Sequence, residues 1–106
     1  MESNGLELSR MRASAKEACG LMKVFSNPDR LLLLCQLSQG EKRVGELEGL
    51  LGIHQPTLSQ QLLVLRSAEL VQTRKEGKSI YYRISSTKAL AVMGVLYEQY
   101  CGTPKG

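Results

Sequence analysis

Residues Gly52 to Leu70 read GIHQPTLSQQLLVLRSAEL, and this stretch decides the fold. We predict a short turn followed by a helix, in which His54 or Gln55 is the N-cap and Pro56 occupies the first turn. There the missing N–H of proline leaves no helical hydrogen bond unmade. Three leucines recur at helical spacing and form an apolar stripe for the core: Leu58, Leu62 and Leu65.

The other face of this helix is polar near its start and carries one cation further along. Its members are Gln55, Thr57, Ser59, Gln60, Gln61 and then Arg66. Short polar side chains at the beginning of a helix are able to hydrogen-bond with base edges in the major groove of DNA. The pattern therefore favours a DNA-recognition helix, with an ordinary amphipathic helix and a solvated polar face as the alternative.

Two helices are predicted in the first forty residues. The first runs from about Ser9 to Phe25, and its apolar seam suits either the core or a dimer surface: Met11, Ala15, Ala18, Met22 and Phe25. The second has Asn27 as its N-cap, Pro28 at its first position, Asp29 in its first turn and Gly40 just past its end. Its run of leucines is apolar on nearly every side, so we expect this helix to be central and buried.

A third, short helix is predicted over Val44 to Leu51, with Arg43 as a poor cap and Gly52 ending it. We expect four of its side chains to face inward: Val44, Leu47, Leu50 and Leu51. Two helices joined by so tight a turn, the second polar at its start, predict a helix-turn-helix.

A basic β-hairpin is predicted next. Leu70 to Arg74 and Ser79 to Ile84 are β-rich, and Lys75 to Lys78 form the turn, in which Gly77 can adopt a positive φ. Between Ile53 and Ile84 there are five Lys/Arg against two Glu, a local net charge of +3. A hairpin after a helix-turn-helix is a wing, and this charge is placed where phosphate contacts would be made.

The last helix is predicted from Ser86 or Thr87 to about Tyr100, with an apolar face of Leu90, Met93, Leu96, Tyr97 and Tyr100. The predicted fold class is mainly α with a β-hairpin wing, a winged helix-turn-helix of four helices, two strands and a fifth helix. We expect a homodimer through the first and last helices that binds an inverted repeat. Residues 1–106 are predicted to form one domain, with 1–8 and 102–106 frayed.

Composition agrees with a DNA-binding protein of the cytoplasm. The chain has 106 residues, a net charge of +4 and a pI of about 9.1. Its longest apolar run, Leu31 to Cys35, is far too short to span a membrane, and its first residues have no signal-peptide character. We therefore expect a cytoplasmic protein without membrane association, whose three cysteines are reduced by default.

Five segments together resemble the ArsR/SmtB family of bacterial repressors: NPDRLLLLCQL, VGELE, LSQQL, LVQTRKEGKSIYYRI and LYEQYC. The resemblance extends from Met11 to Cys101. It implies a dimeric winged helix-turn-helix repressor that leaves its operator DNA when an inducer binds. Within the family the chain is most similar to the BigR/SqrR type, which senses sulfide-derived persulfides through two cysteines.

By this resemblance, Cys35 in the second helix and Cys101 at the end of the last form the sensing pair, joined on oxidation, especially by a polysulfide link. Reactive sulfur species are then the inducer, and a response mainly to peroxide or disulfide stress stays open. Cys35 as a small core residue is the structural alternative. Cys19 has no matching role.

A metal- or metalloid-responsive repressor of the same family is an alternative, disfavoured by missing ligands. The third helix has no Cys or His, and Thr87 to Tyr100 contains no His or Asp. His54 is interpreted as a cap or phosphate contact. A small thiol enzyme or sulfur carrier is a further alternative, but there is no Cys-x-x-Cys motif. We predict no catalytic residue, cofactor or metal ligand.

The predicted DNA contacts follow from these elements. We expect the side chains at the start of the recognition helix to contact bases: Gln55, Thr57, Ser59 and Gln60. We expect the cations of that helix and of the wing to contact phosphates: Arg66, Arg74, Lys75 and Lys78.

Overall fold

The structure, a computed structural model, describes residues 5–102, so 1–4 and 103–106, predicted to be frayed, lie outside the described residues. Its helices are α1 (Gly5–Phe25), α2 (Pro28–Leu37), α3 (Val44–Leu51), α4 (Thr57–Ser67) and α5 (Thr87–Leu96). Its strands are β1 (Lys42–Arg43), β2 (Val71–Glu76) and β3 (Ser79–Ile84). The predicted fold class, mainly helical with a hairpin wing, is confirmed.

Helix α2 is central to the core, as predicted, but it is not buried on every side, since Leu32 is 46% exposed. The side chain of Asn27 caps it by accepting a hydrogen bond of 3.1 Å from the N–H of Arg30. Leu33 and Leu34 are 0% exposed and pack with leucines of α3 and α4. The helix ends at Leu37 with Ser38 as its C-cap, so Gly40 lies beyond the C′ position predicted for it.

The helix-turn-helix is formed by α3 and α4. The bounds predicted for α3 are confirmed, and Gly52 ends it with a left-handed φ of 68°. Leu47 is buried, but Leu50 is 56% exposed, so its predicted inward position was wrong. Helix α4 begins at Thr57 with Pro56 at the N-cap, one position later than predicted. Its stripe of Leu58, Leu62 and Leu65 is buried, as predicted.

The wing is part of a three-stranded sheet in the order β1-β3-β2. Strands β2 and β3 pair antiparallel, with Glu76 opposite Ser79, around a tight turn in which Gly77 has a φ of 62°. Strand β1, which the sequence analysis missed, pairs Arg43 with Tyr81. Leu70 was predicted in the hairpin, but its N–H donates to the carbonyl of Leu65 and closes the end of α4.

Helices α1 and α5 differ from the prediction at their ends. Helix α1 begins at Gly5, so residues 5–8 are helical where fraying was expected, and of its predicted seam only Phe25 is buried. Helix α5 ends at Leu96 and continues as a π-helical turn, Tyr97–Cys101, because the N–H of Gly102 donates to the carbonyl five residues before it. Within residues 5–102, no helix is long and apolar enough to cross a membrane.

Candidate nucleic-acid interface and cysteine pair

The first turn of α4 brings together the four side chains predicted to contact bases. Ser59 and Gln60 are exposed, and Thr57 is half-buried. The side-chain carbonyl of Gln55 accepts a hydrogen bond of 3.1 Å from the N–H of Ser59, so Gln55 caps the helix although it lies outside it. The result is a polar helix start whose hydroxyl and amide groups are available to a ligand.

Arg30 fixes the position of this helix. Its guanidinium donates to the side-chain carbonyl of Gln61 on α4 at 2.9 Å and to the backbone carbonyl of Val24 at the end of α1 at 2.8 Å. A cation at the end of α1 is also favourable to the helix dipole. Gln61, polar by sequence and on the same helix as Ser59, is therefore occupied with holding α4 against α1 and α2.

His54 lies in the turn before α4, and its side chain is 74% exposed. Its Nδ1 lies 3.2 Å from the Oε2 of Glu48 on α3. The predicted cap role was wrong, since Pro56 holds that position. His54 joins the turn to the preceding helix and leaves the rest of its ring open to solvent.

Three of the four predicted phosphate-binding cations are free of protein partners in the part of the chain that the structure describes. Arg66 is exposed in the last turn of α4, and Lys75 and Lys78 are exposed at the tip of the wing. Their charges lie on the two elements that a winged helix-turn-helix places against DNA, so they are available to phosphates.

Arg74, the fourth cation, is already paired. It forms two hydrogen bonds of 2.8 Å to the carboxylate of Glu41 and one of 2.6 Å to Glu76, and its guanidinium lies 4.5 Å from the ring centre of Tyr81. The hydrogen bonds from Arg74 hold the pKa of Glu41 below its ordinary value, and the two carboxylates raise the pKa of Arg74. Sequence reasoning missed this cluster because Glu41 is distant in the chain.

The cysteines differ in their surroundings. Cys35 is half-buried against the core, whereas Cys101 is exposed in the π-helical turn, and both are free thiols. Burial raises the pKa of Cys35 above the ordinary 9.0, and the negative charge of the Cys101 thiolate raises it further. The residues just after α2, Ser38 and Gln39, line one cleft with Met93, Gly94 and Tyr97, so the end of α2 lies beside the end of α5. Cys19 is exposed on α1.

No group of three or more His, Cys, Asp or Glu side chains converges as a metal site among residues 5–102.

A helix-turn-helix with a polar recognition helix and a basic wing tip defines the class: this is a winged-helix DNA-binding protein. The profile of the family described as bacterial regulatory protein, arsR family, matches residues 27–73. The biofilm growth-associated repressor of Agrobacterium fabrum is 49% identical over 96 residues, which cover 91% of this chain and 82% of the relative. The chain therefore belongs to the arsR family of bacterial transcriptional regulators.

Two further relatives agree with that assignment. The crystal structure of the transcriptional repressor BigR from Xylella fastidiosa superposes with a TM-score of 0.82 at 46% identity, covering 92% of this chain and 97% of that one. The transcriptional activator HlyU of Vibrio cholerae is 40% identical over 96 residues, covering 91% of this chain and 89% of the relative.

Proposed function

We propose that the chain is a dimeric repressor that binds an operator inverted repeat and releases it when reactive sulfur species link Cys35 to Cys101. The observation that carries the proposal is the cleft that Ser38 and Gln39, just after α2, share with Met93, Gly94 and Tyr97, because it places the helix of Cys35 beside the end of the helix that leads to Cys101. The raised pKa of Cys35, to which burial and then the charge of Cys101 contribute, agrees with this arrangement. Two similar proteins described as repressors, in Agrobacterium fabrum and Xylella fastidiosa, support the direction of regulation.

A dimer through α1 and α5 is supported by the apolar side chains that one subunit leaves exposed. Every residue from 5 to 20 is exposed, so most of α1 is accessible to solvent in a single subunit. Large exposed apolar residues lie on α1 and on α5 with its π-helical turn: Leu6, Leu8, Met11, Met22, Leu90, Val95, Tyr97 and Tyr100. Two-fold pairing of these surfaces would present two recognition helices to successive major grooves.

On DNA, the start of α4 contacts base edges, and exposed cations contact phosphates. Gln55, Thr57, Ser59 and Gln60 are the proposed base contacts, with Arg66, Lys75, Lys78 and the open side of His54 on the backbone. Arg74, also predicted to contact a phosphate, is instead assigned to holding the wing through its hydrogen bonds to Glu41 and Glu76. The tests are Gln60→Ala, expected to lower discrimination between sites, and Lys78→Ala, expected to weaken all sites and flatten the salt dependence. Equal losses on specific and random DNA for Gln60→Ala would contradict its base contact.

The sulfur chemistry begins at Cys101, because it is exposed and because a raised pKa lowers the thiolate fraction of Cys35. The Cys101 thiolate attacks the outer sulfur of a persulfide RSSH, forming the Cys101 persulfide and releasing the thiol RSH. A second donor converts Cys35 in the same way. The persulfide of Cys35 then attacks the inner sulfur of the Cys101 persulfide and expels hydrosulfide, which leaves a trisulfide. The sum is two thiols and two RSSH giving the trisulfide, two RSH and one molecule of hydrogen sulfide.

The link changes DNA binding through the helices that it joins. A direct disulfide needs Cα atoms within about 7 Å, and each inserted sulfur adds roughly 2 Å of reach. Closure pulls α2 towards the end of α5, and α5 is part of the proposed dimer surface. A small change in the spacing of the two recognition helices takes the half-sites out of register, which weakens specific binding.

The experiment treats the reduced protein with a persulfide donor or with peroxide, measures intact mass, and titrates each product with DNA. We expect added sulfur bridging Cys35 to Cys101 and loss of DNA binding. Cys35→Ser is expected to stop at a persulfide on Cys101, and Cys19→Ser, the matched control, to behave as the natural protein does.

Other outcomes would identify the alternatives. A plain disulfide from either reagent indicates a general redox switch. DNA release by a metal with both thiols free indicates a metal-responsive regulator, and steady turnover of the sulfur donor indicates a sulfur-transfer protein.

A further inference from the structure

Leu63 is an exposed leucine on the recognition helix. Its relative exposure is 62%, whereas Leu62 beside it is 2% exposed, and Leu63 is not among the apolar residues packed against the core. A single exposed leucine is ordinary by itself, so its significance depends on where Leu63 lies relative to the proposed DNA contacts.

The position of Leu63 around the helix indicates its partner. Successive residues turn by about 100°, so the buried Leu58, Leu62 and Leu65 mark one side of α4 and Leu63 lies on the opposite side with Gln60. Leu63 is also four residues after Ser59, which places the two side chains about one turn apart on the same face. The apolar residue thus continues the surface proposed to contact bases.

We propose that Leu63 contacts the C5 methyl group of a thymine in the operator. Thymine is the base that presents a methyl group in the major groove, and an apolar side chain distinguishes it from cytosine by that contact. This inference rests on DNA binding through α4, as proposed above. A second copy of the chain is the less favoured occupant, because the exposed apolar residues of α1 and α5 form a separate surface on other elements.

The test replaces thymine by uracil, which has the same Watson–Crick edge but no methyl group. A DNA duplex that binds the reduced protein is first selected from a pool of random sequences. Each thymine of that duplex is then replaced by uracil, one position at a time and in both half-sites together. Burying one methyl group corresponds to about a fourfold change in affinity, so two half-sites give roughly 15-fold at the contacted position. Leu63→Ala is expected to bind the thymine and uracil duplexes with equal affinity.

The matched control is Leu50→Ala, which removes a leucine of similar exposure, 56%, from α3. It is expected to keep the full sensitivity to uracil. The inference is overturned if no uracil substitution lowers the DNA affinity of the natural protein. It is also overturned if uracil lowers the affinity of Leu63→Ala by the same factor as that of the natural protein. Dissociation of the Leu63→Ala dimer in sedimentation would show that a second copy covers the leucine and would also overturn it. Specific binding of the selected thymine duplex by the natural protein is measured separately. Its loss would contradict the proposed function, whereas specific binding without sensitivity to uracil would contradict only this inference.

Discussion

The helices around the turn and the helices at the two ends of the chain place their apolar residues differently. In α2, α3 and α4, most leucines of the predicted stripes are buried, several of them completely. In α1, a helix of 21 residues, Phe25 is the one buried residue. In α5, Ala89 and Met93 are buried while Val95 is 58% exposed. The DNA-binding half therefore buries most of its leucines, whereas the two end helices add a few residues to the core and leave exposed the surface of the proposed dimer.

The largest effect is expected in the DNA-binding half, from a substitution in the buried stripe of α4. Leu58→Ala removes a side chain that is 0% exposed and should lower the free energy of unfolding by about 2–5 kcal/mol through lost burial and the cavity left behind. Urea unfolding measures it, and Leu63→Ala on the exposed side of the same helix is the control, expected within about 0.5 kcal/mol of the natural protein. A decrease of less than about 1 kcal/mol in the free energy of unfolding for Leu58→Ala would mean that Leu58 is not buried in a well-packed core.

The second prediction concerns the end helices. Val95→Glu places a carboxylate twice in the proposed two-fold interface, so the dissociation constant of the dimer should rise by at least tenfold, on the order of 1.4 kcal/mol. Analytical ultracentrifugation measures it. Ile80→Glu, an exposed apolar position on the wing, is the control and should leave self-association unchanged. Equal dissociation constants for Val95→Glu and the natural protein would place the interface elsewhere.

The third prediction tests the proposed proximity of Cys35 in the first region to Cys101 in the second. The pKa of Cys35 is raised by burial and by Cys101, so its rate of alkylation should still increase at pH 9.0, by up to about tenfold per pH unit. Because folding favours the neutral thiol, this group stabilises the fold below pH 9 and loses that effect as the pH rises. Cys101→Ser removes the repulsion but not the burial, so its profile, followed by peptide mass, should move to lower pH. Identical profiles would show that the thiols do not interact.

The smallest effect is expected at Glu69, which lies between the two regions and lines the groove that α1 and α5 border. Its φ of 63° is left-handed, which costs a non-glycine residue about 1–2 kcal/mol. Glu69→Gly should therefore raise the free energy of unfolding by roughly 0.5–1 kcal/mol after the entropy of glycine is subtracted. Ala68→Gly, where φ is −80°, should lower it. A loss of stability in Glu69→Gly would mean that the glutamate side chain makes a compensating contact.

The features that the sequence could predict are those fixed by residues close together in the chain. Helix caps and tight turns depend on only a few adjacent residues, so they can be predicted from the sequence. The start of α2 at Asn27 and Pro28, the end of α3 at Gly52 and the wing turn at Gly77 are of this kind. The helix-turn-helix and the wing were therefore predicted closely. Strand β1 and the pairing of Arg74 with Glu41 depend on contacts across the fold, which no local pattern indicates.

The candidate site was predictable to a similar extent. Periodicity indicated which face of α4 is polar, but it did not show that Gln61 is held by Arg30 or that Leu63 is exposed. The proposed pairing of Cys35 with Cys101 comes from the family resemblance and stays a prediction, since a long separation in the chain says nothing about distance in the fold.

The uncovered length of α1 has a consequence for gene control. With the proposed dimer as the DNA-binding species, the number of active molecules rises with the square of the subunit concentration while free subunits predominate. Halving the copies per cell then leaves a quarter of the dimers. The regulator would then respond steeply to its own synthesis and to its dilution at cell division, with no change in the concentration of an inducer.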